Sequence, residues 1–374
     1  MNGVCPDIYV DGWKVKEVSE IETGESTLID EFDGQEKMDE VSEEKYLGDI
    51  LSDDGRNMKN ILARAAKGTG IVSQIMCILE EIFFGKYYFE VAVVLRNSLL
   101  LSSVLVNSEA WYNLKKEEIE KLEQVDEMLL RKVLECPGTT PKEMVYLELN
   151  CVPIRFIIKS RRLNFLSYIL REDKSSLMYC FLKAQLRNPS KNDWVQTVME
   201  DMKELNIDLE IEEIENIPVE TYKDLIRSKI QEGALEYLNN QKSKHSKVLH
   251  IMHDKMTMQD YLCPNEINQE EAKFIFQLRT RMVDVKTNYG GRHTDDLCPL
   301  CKDEEDTQQH LLVCPHLDGA EVALRAPDYE DLFREGVQPK IKISRIMHSR
   351  YAKRKVLLKK EKEDAKGPSD PECW

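Results

Sequence analysis

The chain has 374 residues, of which 42% are hydrophobic, 32% charged and 7% aromatic, the composition of a soluble globular protein long enough for two or three domains. Its 68 acidic and 52 basic residues leave a net charge of −16, which by itself argues against a protein that grips nucleic acid. Because ten cysteines are too few for a disulfide scaffold and no signal peptide is recognisable, we expect reduced cysteines and an intracellular protein, nuclear or cytoplasmic.

The N-terminal segment predicts short β-strands. Residues 7–10 and 13–18 are β-prone runs on either side of Asp11-Gly12, a strong hairpin signal. Residues 46–51 form another apolar run, which predicts a third strand. The following Ser52-Asp53-Asp54-Gly55 then supplies a turn before the sequence becomes helical.

Apolar residues recur every three or four positions in most of the remaining chain, which predicts amphipathic helices. The run 89–106 is the most apolar, but it contains Glu90, Arg96 and Asn97 and is too short to span a membrane. We therefore interpret it as a buried core helix and expect no membrane partner. The other predicted helices begin near Met58 and Leu114 or cover 153–171, 176–187, 191–205, 219–239 and 268–284.

A cluster of metal-ligand residues near the C-terminus carries the most specific chemistry. Cys298 and Cys301 are separated by two residues, His310 follows after eight more, and Cys314 after a further three. Three thiolates and one imidazole complete a tetrahedral site without leaving a position for water, so the spacing predicts one structural Zn²⁺. The alternative is four unrelated residues, and His316 is an alternative fourth ligand.

Other histidines give a weaker signal. His245, His250 and His253 lie in a basic stretch, for which a solvated surface is the preferred interpretation over a second metal site. The sequence contains no recognisable nucleophile–base arrangement, glycine-rich phosphate loop or H-E-x-x-H motif.

Six segments carry a likeness to a known family. They are KYLG (45–48), SDDG (52–55), NSEAW (107–111), EQVDEMLLRKVL (123–134), PKEMVYLELNCVPIR (141–155) and RRLNFLSYIL (161–170). Together they resemble the region downstream of the active site in non-LTR (LINE-type) retrotransposon reverse transcriptases. The C-x2-C…H-x3-C element resembles the zinc-binding motif near the end of those polyproteins, so that the likeness is clearest over 45–171 and 298–315.

The resemblance implies an α+β fold, mainly α with a short N-terminal β segment, built as a helical thumb-like bundle plus a small zinc knuckle. In that family the first segment ends the palm and approaches the primer, which makes Tyr46, Leu47 and Gly48 the primer-facing positions. The implied parts are a palm remnant (1–55), a thumb-like domain (56–175), a helical connector (176–290), a CCHC zinc knuckle (291–320), a basic helix (321–361) and a disordered tail (362–374).

The chain departs from the family pattern at the catalytic carboxylates. Polymerases of this type bind paired Mg²⁺ ions through palm aspartates, two of them in an aromatic-x-Asp-Asp turn. Asp53-Asp54 and Asp295-Asp296 do not follow an aromatic-x pair. We therefore expect a truncated or host-derived element without catalytic residues, whose fingers, catalytic palm and any endonuclease would lie upstream.

Two segments are locally basic although the chain is acidic. Residues 1–60 hold 17 acidic and six basic residues, whereas 151–171 contains five basic residues and 336–360 contains nine, with no acid in either. These segments predict phosphate contacts, with solvated helix faces as the alternative. The predicted contacts are Arg155, Lys159, Arg161 and Arg162 in the first segment and Lys353, Arg354 and Lys355 in the second.

The leading hypothesis is a non-catalytic remnant of such a reverse transcriptase that retains RNA or DNA binding. The alternative is a domesticated interaction protein, in which the helices and the zinc module bind a protein partner. An enzyme that uses unusually placed carboxylates is the third interpretation.

Overall fold

A computed structural model describes residues 8–10, 13–15, 41–46, 48–53, 55–81, 85–190, 192–249, 251, 253–263, 267–289, 295–317, 329–333 and 336–364. The chain divides into two units, residues 1–43 and residues 44–374. The described residues are mostly helical with short strands near the N-terminus, which confirms the predicted mainly α fold with a short β segment.

The N-terminal unit contains an antiparallel two-stranded sheet. Strand β1 (Ile8–Val10) pairs with β2 (Trp13–Val15), and Tyr9 lies opposite Lys14 at the centre of the register. This confirms the predicted pairing of these two runs. The connecting Asp11-Gly12 lies outside the described residues.

Residues 43–52 form a second two-stranded sheet, in which β3 (Glu43–Tyr46) pairs with β4 (Asp49–Ser52). The predicted single strand over 46–51 is therefore wrong. Its centre is a turn, because Gly48 has a φ of +93°, which a glycine adopts without steric cost.

Thirteen α-helical segments follow among the described residues, and a π-helical turn, Arg96–Leu101, joins the second to the third. They are α1 (Met58–Glu81), α2 (Tyr88–Leu95), α3 (Ser102–Val104), α4 (Lys116–Val133), α5 (Lys142–Glu148), α6 (Ile154–Arg171), α7 (Leu177–Arg187), α8 (Trp194–Glu204), α9 (Ile211–Ile214), α10 (Val219–Lys242), α11 (Gln269–Arg279), α12 (His310–Val313) and α13 (Val337–Asp364).

Helix α11 ends five residues before the predicted boundary at residue 284. Arg281 adopts a left-handed conformation with φ of +56°, its N–H donates to Leu278 O, and the N–H of Met282 donates to Gln277 O. This pair of bonds is the Schellman motif, which terminates a helix. The prediction is wrong here because an arginine occupies the position where glycine usually marks the helix end.

The buried apolar residues form three clusters. The first surrounds α1, α4 and α5, the second joins α6 to α8 and α10, and the third joins α11 and α13 to the region of the predicted knuckle. Gly68 permits the close approach of α1 to α4, since a Cβ at this position would lie 2.8 Å from Val104 and 2.9 Å from Val125.

A buried polar network crosses the first cluster. The Arg96 guanidinium makes two bonds of 2.6 Å to the Asp126 carboxylate and donates to the Val152 carbonyl at 2.9 Å. Tyr146 donates its hydroxyl proton to the same carboxylate at 3.0 Å. Because all these polar atoms are paired, the charges are tolerated inside the core.

Among the described residues, α1 is the helix long and apolar enough to cross a membrane by length and composition. One side of α1 is buried against α4 and the other side is exposed. A core helix of a soluble protein passes the same test, so this finding is weak evidence for a span. The run 89–106, interpreted as one core helix, comprises α2, the π-turn and α3, with Val94 and Leu99 exposed.

Candidate metal centre

Cys298 and Cys301 are presented by a tight turn. The N–H of Lys302 donates to the Cys298 carbonyl at 2.9 Å, and Lys302 adopts a left-handed conformation with φ of +59°. The N–H of Cys298 in turn donates to the Glu304 carbonyl at 2.7 Å. These bonds close a tight turn, so that both thiols lie on the same side of it.

Helix α12 presents the other two ligand residues. The N–H of His310 donates to the Thr307 hydroxyl at 2.9 Å, which caps the helix, and the N–H of Cys314 donates to the His310 carbonyl at 2.8 Å. One helical turn therefore separates His310 from Cys314, and their side chains lie on the same face.

The four side chains converge as one site. Their ligand atoms all lie within 4.8 Å of one another. Cys298 Sγ and Cys314 Sγ are 3.9 Å apart, and Cys301 Sγ is 3.3 Å from His310 Nε2. Tetrahedral Zn²⁺ requires separations of about 3.8 Å between two sulfurs and about 3.5 Å between sulfur and nitrogen, given the usual bond lengths. The site therefore fits one metal ion of this size.

Glu304 fixes the orientation of the imidazole. Its Oε2 lies 2.9 Å from His310 Nδ1, which leaves Nε2 directed toward the three thiols. A carboxylate on the far nitrogen of a histidine ligand holds the tautomer that binds metal and increases the basicity of the ligand nitrogen. His316, the alternative ligand, lies in a 3-10 turn and is exposed.

The protonation of the thiols differs within the cluster. Burial, together with the neighbouring Cys298 thiol, raises the pKa of Cys314 to about 12. Burial acts in the same direction at Cys301, but the backbone N–H groups of Asp303 and Glu304 outweigh it and lower the pKa of that thiol. Since thiolates are the ligands, metal binding must displace protons from this cluster.

Helix α13 contacts the knuckle, defined from here on as residues 295–317, through three cations. Arg350 donates to the carbonyls of Leu311 at 2.5 Å and of Cys314 at 3.1 Å. Lys353 donates to the Leu317 carbonyl at 3.0 Å. Each acceptor belongs to α12 or to the turn after it, so α13 is anchored beside the metal ligands.

The third cation, Arg354, forms a buried ion pair with Asp306 at 2.5 Å and donates to the Asp284 carbonyl at 2.6 Å. Asp306 lies in the knuckle loop, where its carboxylate also accepts from the N–H of Lys286 at 2.8 Å. Lys355 is exposed and lies over the Tyr351 ring at 4.4 Å. Of the three cations predicted to contact phosphate, Lys353 and Arg354 thus have partners inside the protein.

The cations predicted to form a basic surface on α6 are also bonded internally. Arg155 makes two bonds of 2.8 Å to Glu123, and Arg162 lies 2.7 Å from Asp201. Lys159 pairs with Asp201 at 3.6 Å and with Glu204, while Arg161 donates to the Leu105 carbonyl. The fifth cation of this segment, Arg171, donates to the Ile214 carbonyl at 2.9 Å.

These contacts show that the cations of residues 151–171 have partners inside the protein, and phosphate contact at them stays a prediction. The segment contains no acid of its own because its cations are paired with groups outside it. These groups are carboxylates on α4 and α8 and carbonyls in the loops between helices. Phosphate would have to displace existing partners to reach Arg155, Lys159, Arg161 or Arg162.

The predicted primer-facing residues lie at the β3–β4 turn. Tyr46 ends β3 with 64% of its surface exposed, and Gly48 forms the turn. Leu47 lies outside the described residues. Primer contact at these positions stays a prediction.

Sequence reasoning missed a second buried polar network, centred on Glu148. Its carboxylate contacts His253 Nε2 at 3.2 Å and Arg279 at 3.0 Å, and accepts the hydroxyl proton of Tyr261 at 2.5 Å. His253 is therefore buried, which corrects its interpretation as a solvated residue. The only local signal was a glutamate within the apolar run MVYLEL.

Comparison with known proteins gave no match to any family model, curated protein or solved structure.

Proposed function

We propose that this chain is a non-catalytic part of a non-LTR retrotransposon reverse transcriptase, or of a host protein derived from one, in which a structural Zn²⁺ holds the knuckle together and RNA or DNA is the partner. The convergence of four ligand atoms in a closed Cys3His site carries the proposal. The resemblance over 45–171 and 298–315 supports the family, and the reduced cysteines that the sequence predicts fit an intracellular protein of the nucleus or cytoplasm.

Zinc is the ion that the donor set favours. Three thiolates and an imidazole form a soft, closed, four-coordinate site, the arrangement of structural zinc, and leave no position for a reacting water. The knuckle contains little regular structure of its own beyond the four residues of α12, the 3-10 turn after it and one β-bridge between Leu297 and Glu305. The ion would therefore supply much of the folding free energy of this region.

Metal analysis of the purified chain tests this part of the proposal. We expect one zinc per chain by elemental mass spectrometry, and its loss in Cys298→Ser. Cys77→Ser is the matched control, because Cys77 is an exposed free thiol on α1. A wild-type chain purified and reconstituted with Zn²⁺ that retains none would contradict the zinc site.

The nucleic-acid contact falls on exposed cations of α13. Lys342 and Lys360 are exposed on one face of that helix and Lys355 is exposed on another, whereas the basic residues of α6 are bonded internally. Filter binding of a structured RNA at two salt concentrations tests this contact, since phosphate-driven affinity falls steeply with salt. We also expect no extension of a primed RNA template. Detectable extension would contradict the non-catalytic part of the proposal.

A protein-interaction module is the second candidate, and two observations favour it. Tyr46, Leu51, Leu62 and Val94 are apolar residues at least 47% exposed. An open groove of about 740 Å³ near the C-terminal ends of α1 and α4 is lined by Met76 and Met128 together with charged residues. Methionine-lined surfaces adapt well to protein partners. RNA binding that is absent at low salt would favour this candidate over the first.

A further inference from the structure

We infer that the metal ion controls whether the C-terminal half of α13 is docked, and that loss of the ion releases a polyanion-binding segment, residues 350–360. This inference rests on the zinc site of the proposed function and adds its regulation. Three of the six cations in that segment, Arg350, Lys353 and Arg354, reach the knuckle with their charged groups. Arg350 and Arg354 are buried at this contact and are withdrawn from anions in solution while the knuckle keeps its shape. Lys353 is exposed, but its ammonium group is bonded to the Leu317 carbonyl.

One acceptor, the Asp284 carbonyl that accepts from Arg354, lies outside the knuckle. The other acceptors for these cations converge only when the knuckle is closed. Arg350 needs the carbonyls of Leu311 and Cys314 in one place, and Cys314 is itself a predicted metal ligand. Asp306, the partner of Arg354, lies in the eight-residue loop between Cys301 and His310. A helix of four residues and a loop of eight are too short to be stable alone. Without the ion, these acceptors no longer converge.

Release follows from the cost of buried charge. The Arg354 and Asp306 side chains are 6% and 1% exposed. A buried cation that loses its partner is strongly unfavourable unless it moves into water. The outward movement of residues 350–360 solvates these cations and places them beside Lys355, Lys359 and Lys360. The segment then carries six positive charges and no acid within eleven residues, which suits a nucleic-acid phosphate backbone.

The N-terminal half of α13 has anchors of its own that do not involve the knuckle. Lys340 pairs with Asp260 at 3.2 Å, and Arg345 pairs with Glu271 on α11 at 2.7 Å. Ile341 also belongs to the first apolar cluster. Residues 337–347 should therefore stay docked after the ion leaves, which provides an internal reference within the same helix.

Hydrogen exchange and RNA binding of the full-length chain test the inference together. The chain is compared as purified with zinc, after treatment with a chelator, and after zinc is restored. We expect residues 350–360 to lose protection on chelation while 337–347 keeps it, with zinc restoring the original state. Affinity for a labelled 20-nucleotide single-stranded RNA should increase at least about tenfold on chelation. The slope of the logarithm of the binding constant against the logarithm of the salt concentration should become more negative by about two, the value for three further phosphate contacts on a single strand.

Variants separate release from binding. The triple variant Arg350→Gln, Lys353→Gln and Arg354→Gln should lose protection at 350–360 even with zinc bound, and should show little gain in RNA affinity on chelation. Lys67→Gln is the control, because Lys67 is an exposed cation on α1, outside the proposed nucleic-acid contact, and it should keep the full gain.

The outcomes distinguish this inference from the proposed function. A chain that binds no zinc contradicts both. A chain that binds and releases one zinc, yet keeps 350–360 protected or gains no RNA affinity, contradicts the inference alone. Exchange across α4 and α6 must stay unchanged on chelation, and a general loss of protection there would overturn the assignment of the effect to α13.

Discussion

At the scale of single residues, Glu304 is the partner that orients the histidine ligand of the metal centre. Replacing it in Glu304→Gln removes the negative charge opposite His310 Nδ1, which lies 2.9 Å from the carboxylate. We expect zinc affinity, measured by competition with a chromophoric chelator, to decrease at least about tenfold, as is usual for such partners of metal ligands.

Glu305→Gln is the control for this experiment. Glu305 is adjacent to Glu304 and exposed, and its backbone forms a β-bridge with Leu297. Equal zinc affinities in the two variants would show that Glu304 does not position the imidazole.

Two glycines in α1 form a second matched pair. A Cβ at Gly68 would lie under 3.0 Å from the side chains of Val104 and Val125, and these β-branched side chains have little rotamer freedom with which to move away. A Cβ at Gly70 would have no atom within 4 Å. Gly68→Ala should therefore lower the free energy of unfolding by about 1–3 kcal/mol. Gly70→Ala should raise it by about 0.5–1 kcal/mol, because alanine favours the helix.

Denaturant unfolding of both variants measures the difference. A Gly68→Ala protein as stable as the wild type would mean that α1 can move away from α4 at no cost.

At the scale of elements, helix positions were predictable but several of their connections were not. The apolar periodicity located α4, α6, α7, α8 and α10 within about three residues of their observed ends, because each buries one continuous face. The β3–β4 turn and the end of α11 were missed, since one glycine within an apolar run and one arginine in a left-handed conformation leave no periodic signal. The local backbone conformation at Gly48 and Arg281 determines both features.

The Arg96–Asp126 pair links the π-turn to α4. Arg96→Met should lower the free energy of unfolding by about 3–5 kcal/mol, because it leaves the buried Asp126 carboxylate without its cation. Lys116→Met is the control, since its pair with Glu120 is exposed, and a cost below about 1 kcal/mol is expected. Thermal or denaturant unfolding gives both values. Equal losses of unfolding free energy in the two variants would show that the buried pair contributes no more to stability than the exposed pair.

At the scale of the whole molecule, Glu148 connects segments far apart in the sequence. Its carboxylate lies between α5, His253, the 3-10 turn at Tyr261 and α11. Burial opposes ionisation, but Arg279 and His253 outweigh it and lower the pKa of Glu148 to about 2, from a usual value of 4.5.

A lowered carboxyl pKa contributes stability above the unfolded-state value that is lost as the pH falls. We therefore expect the part of the stability due to Glu148 to be complete above about pH 4.5 and to disappear progressively toward pH 2. Glu148→Gln should cost about 3–5 kcal/mol at neutral pH and should reduce the slope of stability against pH between 4.5 and 2. Denaturant unfolding across this range measures both, and an unchanged slope would contradict the role of Glu148.

The sequence likewise predicts one part of the candidate site and not another. The Cys3His ligands were predictable, because their chemistry depends on local spacing in two short segments. The pairing of the basic residues on α6 was not predictable. Their partners Glu123 and Asp201 lie 32 and 39 residues away in the sequence from Arg155 and Arg162. A run without acid indicates a positive surface only if no other element supplies the counter-charge.

The internal pairing on α6 also affects how fast a polyanion could reach this protein. Because the cations of that helix are matched by carboxylates and carbonyls nearby, they form no local positive patch, and the field at a distance follows the net charge of −16, in which they are already counted. At 0.1 M salt, charges more than about 10 Å apart are largely screened, so an approaching nucleic acid meets this repulsion only within about 10 Å of the surface. Added salt screens that repulsion and speeds the encounter, while it shortens the lifetime of the phosphate contacts once they form. The association and dissociation rates therefore both increase with ionic strength.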